Sequence, residues 1–246
     1  MLDTASKPST IALITGANRG LGLETARRLG AAGYTVLLGV RDEGKGREAA
    51  HKLAEQGYDV QPVVIDVSDR ASIHNAAEQI IQEFGRLDLL INNAGVLYMD
   101  EGPPSMVDET KLRHLFEINF FGAIAVTQAF VPLLKLSEKG HIVNVSSGLG
   151  SLTQQADPEY EYAGFKLLGY VASKAALNAF TIVLAAELMS SGIRVNSADP
   201  GYTATALNNY TGQQSIGEGA EAIARLALQK TGPTAGFFAA TSEVPW

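Results

Sequence analysis

The stretch that decides the fold is Ile11–Gly22, IALITGANRGLG: five apolar or β-branched residues, then a turn carrying Gly16, Gly20 and Gly22. So short and continuous an apolar run reads as a strand covered on both faces, the pattern of a parallel sheet. Glycine at its exit lets backbone N–H groups approach a pyrophosphate, and a helix starting at Gly20 turns its positive end toward the anion. The spacing is G-x3-G-x-G, so the general G-x-G-x-x-G fingerprint is not met residue for residue. On three glycines alone, a tight turn with no ligand remains the alternative.

Outward from that turn, β-branched runs alternate with helical patterns along the chain. Strands are expected at Tyr34–Val40, Val60–Asp66, Leu87–Asn92, His141–Ser146, Ile193–Ala198 and Phe237–Ala240. Helices are expected at Gly20–Ala32, Gly46–Gln56, Ala71–Phe84, Thr110–Leu136 and Tyr170–Ser191. Gly33, Gly57, Gly85 and Gly192 stand where four of them should stop. Strand–helix alternation at this spacing implies right-handed crossovers, hence an α/β fold: one Rossmann-type, doubly wound parallel sheet of about seven strands flanked by helices. The whole chain, 1–246, reads as a single dinucleotide-binding and catalytic domain with residues 1–9 as a flexible tail. Two segments look irregular, 99–104 and 148–169. The second follows a strand end, where open α/β sheets bind ligands, so 148–169 and 202–216 are expected to be substrate-site loops.

Composition narrows the function. The 246 residues are 46% hydrophobic and 18% charged, enough apolar surface to build a core. Nineteen basic against twenty-six acidic residues leave a charge of −7, which argues against a nucleic-acid partner. With no cysteine there is no disulfide framework, thiolate metal site or cysteine nucleophile. The four histidines show no metal-ligand spacing, so no metal is expected. The opening MLDTASKPST has neither the basic nor the apolar part of a signal peptide, and the apolar stretch 118–134 is interrupted by Asn119, Thr127, Gln128 and Pro132. The expectation is a cytoplasmic protein with no membrane partner.

Five strings in order, TGANRGLG, NNAG (92–95), VNVSSG (143–148), YVASKAAL (170–177) and DPGYTAT (199–205), make the chain resemble the short-chain dehydrogenase/reductase family over nearly its whole length. The resemblance implies coenzyme contacts from Gly16, Asn18, Arg19, Gly20, Leu21 and Gly22 in the turn. It adds Asp66 and Val67 at the adenine, Asn93, Ala94 and Gly95 behind the ribose, and Pro200, Gly201 and Thr203 over the nicotinamide. Val40 and Arg41 end the second strand where NAD-binding chains carry a carboxylate. A guanidinium there, with Arg19 beside it, suits a 2′-phosphate, so NADPH/NADP+ is expected over NADH. The rival is Asp42 acting as the NAD-type carboxylate.

Tyr170 and Lys174 are four residues apart at the start of a periodic helix, so they share a face. A phenol with an ordinary pKa of about 10 is a weak acid–base catalyst at neutral pH. A nearby ammonium and an oxidised nicotinamide should lower it, and the resemblance gives Lys174 the ribose hydroxyls as well. Tyr162 and Lys166 repeat the spacing in YAGFK, but Gly164 weakens a helix there. Choosing Tyr170 implies an insertion of about ten residues between serine and tyrosine, as in carbonyl-reductase-like relatives. Ser147 is the candidate to hydrogen-bond the substrate oxygen, with Ser146 pointing the other way if the strand alternates. Asn119, in the family's pattern, kinks its helix and supports a proton relay through a water. Tyr202, Leu207 and Tyr210, with Leu149, Leu152 and Phe165, suggest an apolar pocket under a mobile 202–216 lid.

The expected activity is NADPH-dependent reduction of a ketone or aldehyde to an alcohol, reversible, on a fairly apolar small molecule. Alternatives are an NAD-dependent alcohol dehydrogenase of the same family, an epimerase or dehydratase on the same machinery, and a non-catalytic NADP-binding sensor. Family members pair through helices that here are 110–136 and 170–191, so a homodimer or homotetramer is expected unless the insertion blocks that face.

Overall fold

Thr15 closes β1 (Ile11–Thr15), and the glycine turn leads from it into α1 (Gly20–Ala31). The computed structural model describes residues 9–246, so most of the expected 1–9 tail lies outside the described residues. Its last residue, Ser9, is anchored: its hydroxyl accepts from the Thr35 N–H at 3.0 Å, and its carbonyl from Arg86. The remaining strands are β2 (Thr35–Val40), β3 (Val60–Val64), β4 (Leu89–Asn92), β5 (His141–Val145), β6 (Arg194–Ala198) and β7 (Phe237–Phe238). They form one seven-stranded sheet in the order β3-β2-β1-β4-β5-β6-β7, parallel throughout.

The alternation of strand side chains divides the core. Ile11 and Leu13 pack with α3 (Arg70–Phe84), α5 (Ala123–Leu134) and α7 (Leu168–Leu188) through Ile80, Phe130 and Leu184. Ala12 and Ile14 face α1, α2 (Glu43–Ala54) and α8 (Ile216–Leu228) through Leu29, Leu53 and Ile223. Burial on both faces is why these strands read as unbroken apolar runs. β3 differs: it is an edge strand, so it tolerates Pro62 and leaves Val64 exposed. Gly33, Gly57, Gly85 and Gly192 all adopt positive φ at the expected helix ends.

Most expected strands lose a residue or two at their ends, and two helices were not anticipated. α6 (Leu152–Ala156) lies inside the inserted segment, capped by Ser151. α8 begins at Ile216, where the lid was expected to end, and its Ser215/Glu218 capping box is legible in SIGE once sought. The expected helix 110–136 is three pieces: α4 (Glu109–Phe116), a π-helical turn (Glu117–Gly122) and α5. By length and hydropathy, Glu109–Leu134 and Leu168–Ser191 could each cross a membrane, yet here they pack on the sheet with 56% and 50% of their most apolar windows buried. His51 and His74 are exposed beside Glu55 and Glu78. His141 lies inside β5, where burial pushes it down to about 3 and keeps it neutral.

Candidate active site

Strand order reverses between β1 and β4, which leaves a crevice at their carboxyl ends. The glycine turn is fastened across it. Thr15 Oγ1 accepts from the N–H groups of Asn93 and Ala94, both at 3.0 Å, and Asn93 Nδ2 donates to the carbonyls of Thr15 and Gly16. A Cβ on Gly22 would lie 2.6 Å from Asn93 Nδ2 and 2.8 Å from the Gly16 carbonyl, so only glycine lets helix and turn approach. Gly16 needs glycine on a second ground, φ +65. Arg19 is the N-cap residue of α1 and supplies no side-chain cap, so the first-turn N–H groups lack a side-chain acceptor. That fits an anion.

Arg41 and Arg19 are exposed beside this turn and form no ion pair among the described residues. The rival carboxylate, Asp42, is committed to α2: it accepts from the Lys45 N–H at 3.1 Å and pairs with the Lys45 ammonium. Asp66 lies early in the loop after β3. Burial raises its pKa, but the Ser68 hydroxyl and N–H and the Arg41 charge outweigh that and hold it below the ordinary value. Val67 packs against Gly122 of the π-helical turn. These residues could hold an adenosine phosphate.

At the reacting end, Ser147 and Tyr170 line one pocket with Leu21, Leu149, Phe165, Pro200, Gly201, Tyr202, Thr203 and Leu207. Lys174 Nζ sits 5.8 Å from the Tyr170 ring centre and donates to the Val145 carbonyl at 2.7 Å. Asn119, 1% exposed, accepts from the Val96 N–H at 2.8 Å and donates to the Val96 carbonyl and to Ser173 Oγ. Gly95 lies between them: a Cβ there would be 3.3 Å from Asn119 Oδ1 and 3.8 Å from Lys174 Nζ. The π-helical turn around Asn119 is the observed form of the expected kink, a distortion common at functional sites. Ser147 Oγ accepts from the Leu149 N–H, whereas the buried Ser146 Oγ has no protein partner. Thr203, 4% exposed, donates to the Pro200 carbonyl.

In the chain without coenzyme, desolvation dominates both groups. Burial pushes the Tyr170 phenol up to about 12, with the Asp199 charge adding to it and the Ser147 hydroxyl opposing. Burial also takes Lys174 down to about 8. Sequence spacing reveals the ammonium but not the desolvation of both groups, and desolvation dominates here. The decoy pair separates: Tyr162 lies in a turn, Lys166 is exposed, and the helix starts only at Leu168. Tyr162 is nonetheless a wall of the pocket.

Leu152 and Tyr210 do not line the pocket; they are 63% and 67% exposed. Residues that the sequence did not single out do: Leu97, Met99, Tyr160, Leu167, Thr205, Asn208 and Asp199. Asp199 is the one charged residue in the lining among the described residues, and burial raises its carboxyl despite N–H bonds from Gly201 and Gly148. It stands inside the quoted string DPGYTAT, beside Pro200, which was the available signal. No group of three or more His, Asp or Glu fit to hold a metal occurs among the described residues.

The chain is similar to known proteins over most of its length. A family model described as short chain dehydrogenase matches residues 10–215. A (+)-neomenthol dehydrogenase of Capsicum annuum is 32% identical, the alignment covering 95% of this chain and 96% of that one. Salutaridine reductase from Papaver somniferum superposes with a TM-score of 0.82 at 30% identity, over 93% of this chain and 99% of that one. A gluconate 5-dehydrogenase from Burkholderia cenocepacia in complex with NADP and tartrate has a TM-score of 0.72 at 30% identity, covering 82% of this chain and 74% of that one. A 3-ketoacyl-(acyl-carrier-protein) reductase from Brucella melitensis complexed with NADH has a TM-score of 0.81 at 26% identity, covering 94% and 96%.

Proposed function

This chain belongs to the short-chain dehydrogenase family and is a carbonyl–alcohol oxidoreductase using a nicotinamide coenzyme; from that premise we propose that it reduces a ketone or aldehyde at the expense of NADPH. The observation that carries the reading is the convergence of Ser147 and Tyr170 on one apolar pocket with Lys174 behind the tyrosine ring.

When bound, reduced nicotinamide supplies a hydride to the carbonyl carbon. The residues of the chain do the rest. Tyr170, whose pKa lies near 12 in the free protein, holds its proton through the neutral range and can give it to the carbonyl oxygen. Ser147 Oγ hydrogen-bonds the same oxygen as charge grows there. Lys174 places a cation behind the ring below about pH 8 and reaches the ribose side of the crevice. Asn119 holds the backbone at Val96, next to Gly95, which lies between it and the lysine. The glycine turn, with Gly16, Asn18, Arg19, Gly20, Leu21 and Gly22, would hold the pyrophosphate, Asn93 and Ala94 would lie behind the ribose, and Pro200, Gly201 and Thr203 would contact the nicotinamide.

The preference for NADPH rests on two uncommitted guanidiniums, Arg19 and Arg41, and on Asp42 being spent as a helix cap. The rings of Tyr162, Phe165 and Tyr202, in edge contact with centroids 5.5–6.0 Å apart, favour a bulky apolar substrate. A cytoplasmic setting and a homo-oligomer complete the reading.

The test is Tyr170→Phe. Turnover of carbonyl substrates should fall by about 10³-fold, within the usual range for losing a general acid, while NADPH binding by fluorescence is unchanged. If Tyr162→Phe is the inactive variant and Tyr170→Phe turns over, the assignment is wrong.

A further inference from the structure

The catalytic helix does not cap itself. Leu167, its N-cap residue, makes no side-chain bond, so the first-turn N–H groups of α7 need acceptors from elsewhere. Two of them find one residue: the Glu101 carboxylate accepts from the Gly169 N–H at 2.6 Å and from the Tyr170 N–H at 3.1 Å. Glu101 is 68 residues away in sequence and 3% exposed. A buried carboxylate is costly unless hydrogen-bonded; here it has two N–H donors and the positive end of a long helix. Gly169 permits the approach, since a Cβ there would sit 2.6 Å from Leu115 Cδ1 and 3.0 Å from Glu101 Oε2.

The other end of the same strap is also held at the site. Val96 is pinned in both directions by Asn119, Asn119 donates to Ser173 Oγ, and Ser173 donates to the Tyr170 carbonyl. The chain of bonds closes on itself: Tyr170, Ser173, Asn119, Val96, the 96–101 strap, Glu101 and back to the Tyr170 N–H. Leu97 and Met99, midway along the strap, line the pocket.

We propose that Glu101 is a positioning residue for the reaction, fixing the first turn of α7 so that the Tyr170 hydroxyl meets the substrate held against Leu97 and Met99. The proposal rests on the carbonyl-reductase reading above. It places no demand on coenzyme binding, because the strap faces the substrate side.

The experiment compares Glu101→Ala, Glu101→Gln and Gly169→Ala with the native protein, and uses Glu48→Gln, an exposed carboxylate on α2 paired with Lys52, as control. In Glu101→Ala, kcat for a carbonyl substrate should fall about 10- to 100-fold, the scale of an ångström-sized misplacement, with NADPH affinity unchanged within about twofold. Hydrogen exchange should show lost protection at the amides of Gly169 and Tyr170 but not in the middle of α7. Glu101→Gln, which keeps one carbonyl acceptor, should recover most of kcat. Gly169→Ala should reproduce the loss with the carboxylate still present, and Glu48→Gln should leave kcat unchanged. Unchanged kcat or unchanged amide protection in Glu101→Ala overturns the proposal, as does a loss that Gln does not repair. Should the native protein bind NADPH yet reduce no carbonyl, the function reading fails instead, and the exchange result alone decides whether Glu101 holds the helix.

Discussion

The coenzyme end and the substrate end of the cleft are built by opposite means. At the coenzyme end, the turn 16–22 is shaped by its own glycines and clamped to the end of β4 by the Thr15 hydroxyl and the Asn93 amide, each bonded to backbone groups. At the substrate end, the walls are side chains from separate segments. Tyr160, Tyr162 and Phe165 come from the insertion, Tyr202 from the loop after β6, and Leu97 and Met99 from the strap. A site made of backbone demands residue types at fixed offsets; a site made of side-chain surface demands only area and shape. The first end should therefore fail sharply when altered and the second gradually.

Gly22→Val gives the largest expected effect. Its Cβ has no space between Asn93 and the Gly16 carbonyl, so NADPH affinity measured by fluorescence should fall by at least about 100-fold, the order of a backbone clash in a packed site. Lys174→Met probes the seam between the two ends through stability. Burial has lowered the lysine's pKa to about 8 from 10.5. Between those values the unfolded chain binds more protons than the folded one, so native stability rises with pH across that window. The methionine variant should be more stable than the native protein at pH 7, by about 3 kcal/mol, with the gap closing toward pH 10 in thermal melts. Its activity should be lost throughout.

Arg41→Asp comes next: the NADPH/NADH ratio of kcat/KM should drop about tenfold or more, as expected when a charge-assisted partner of the phosphate is replaced by a like charge. An unchanged ratio would count against the NADPH assignment. Tyr202→Ala should raise the substrate KM only about fivefold and leave coenzyme affinity alone, since the neighbouring rings of Tyr162 and Phe165 still cover the site. A kcat collapse in that variant would show that the substrate end is as exacting as the coenzyme end, and the contrast drawn above would fall.

The parallel sheet was legible because its inner strands, such as β1, β2 and β5, are buried on both faces and read as unbroken apolar runs. Strand β1 is found where it was expected, residue for residue. α8 went unread although SIGE carries a capping signal and its apolar side is well defined; Gly217 and Gly219 in its first turn are poor helix formers and mask the start. The π-helical turn around Asn119 was invisible as such: periodicity reads one helix across Glu117–Gly122, and only the bonds to Val96 and Ser173 show why the backbone widens there. Leu152 and Tyr210 were expected in the pocket on hydrophobic character, but local patterning does not tell which face of a loop turns inward.

The sequence by itself determined the elements whose cause is local: the strand–turn–helix at the N-terminal side, the helix stops, and the four-residue spacing that puts Tyr170 and Lys174 on one helix face. Tertiary structure alone decided what depends on distance through space. It buried Lys174 and left Lys166 exposed, and it surrounded the Tyr170 phenol with packing that raises its pKa in the free chain. It also brought Glu101 to the start of the catalytic helix. Desolvation and long-range hydrogen bonds are properties of the packed surroundings, and no window of consecutive residues contains them.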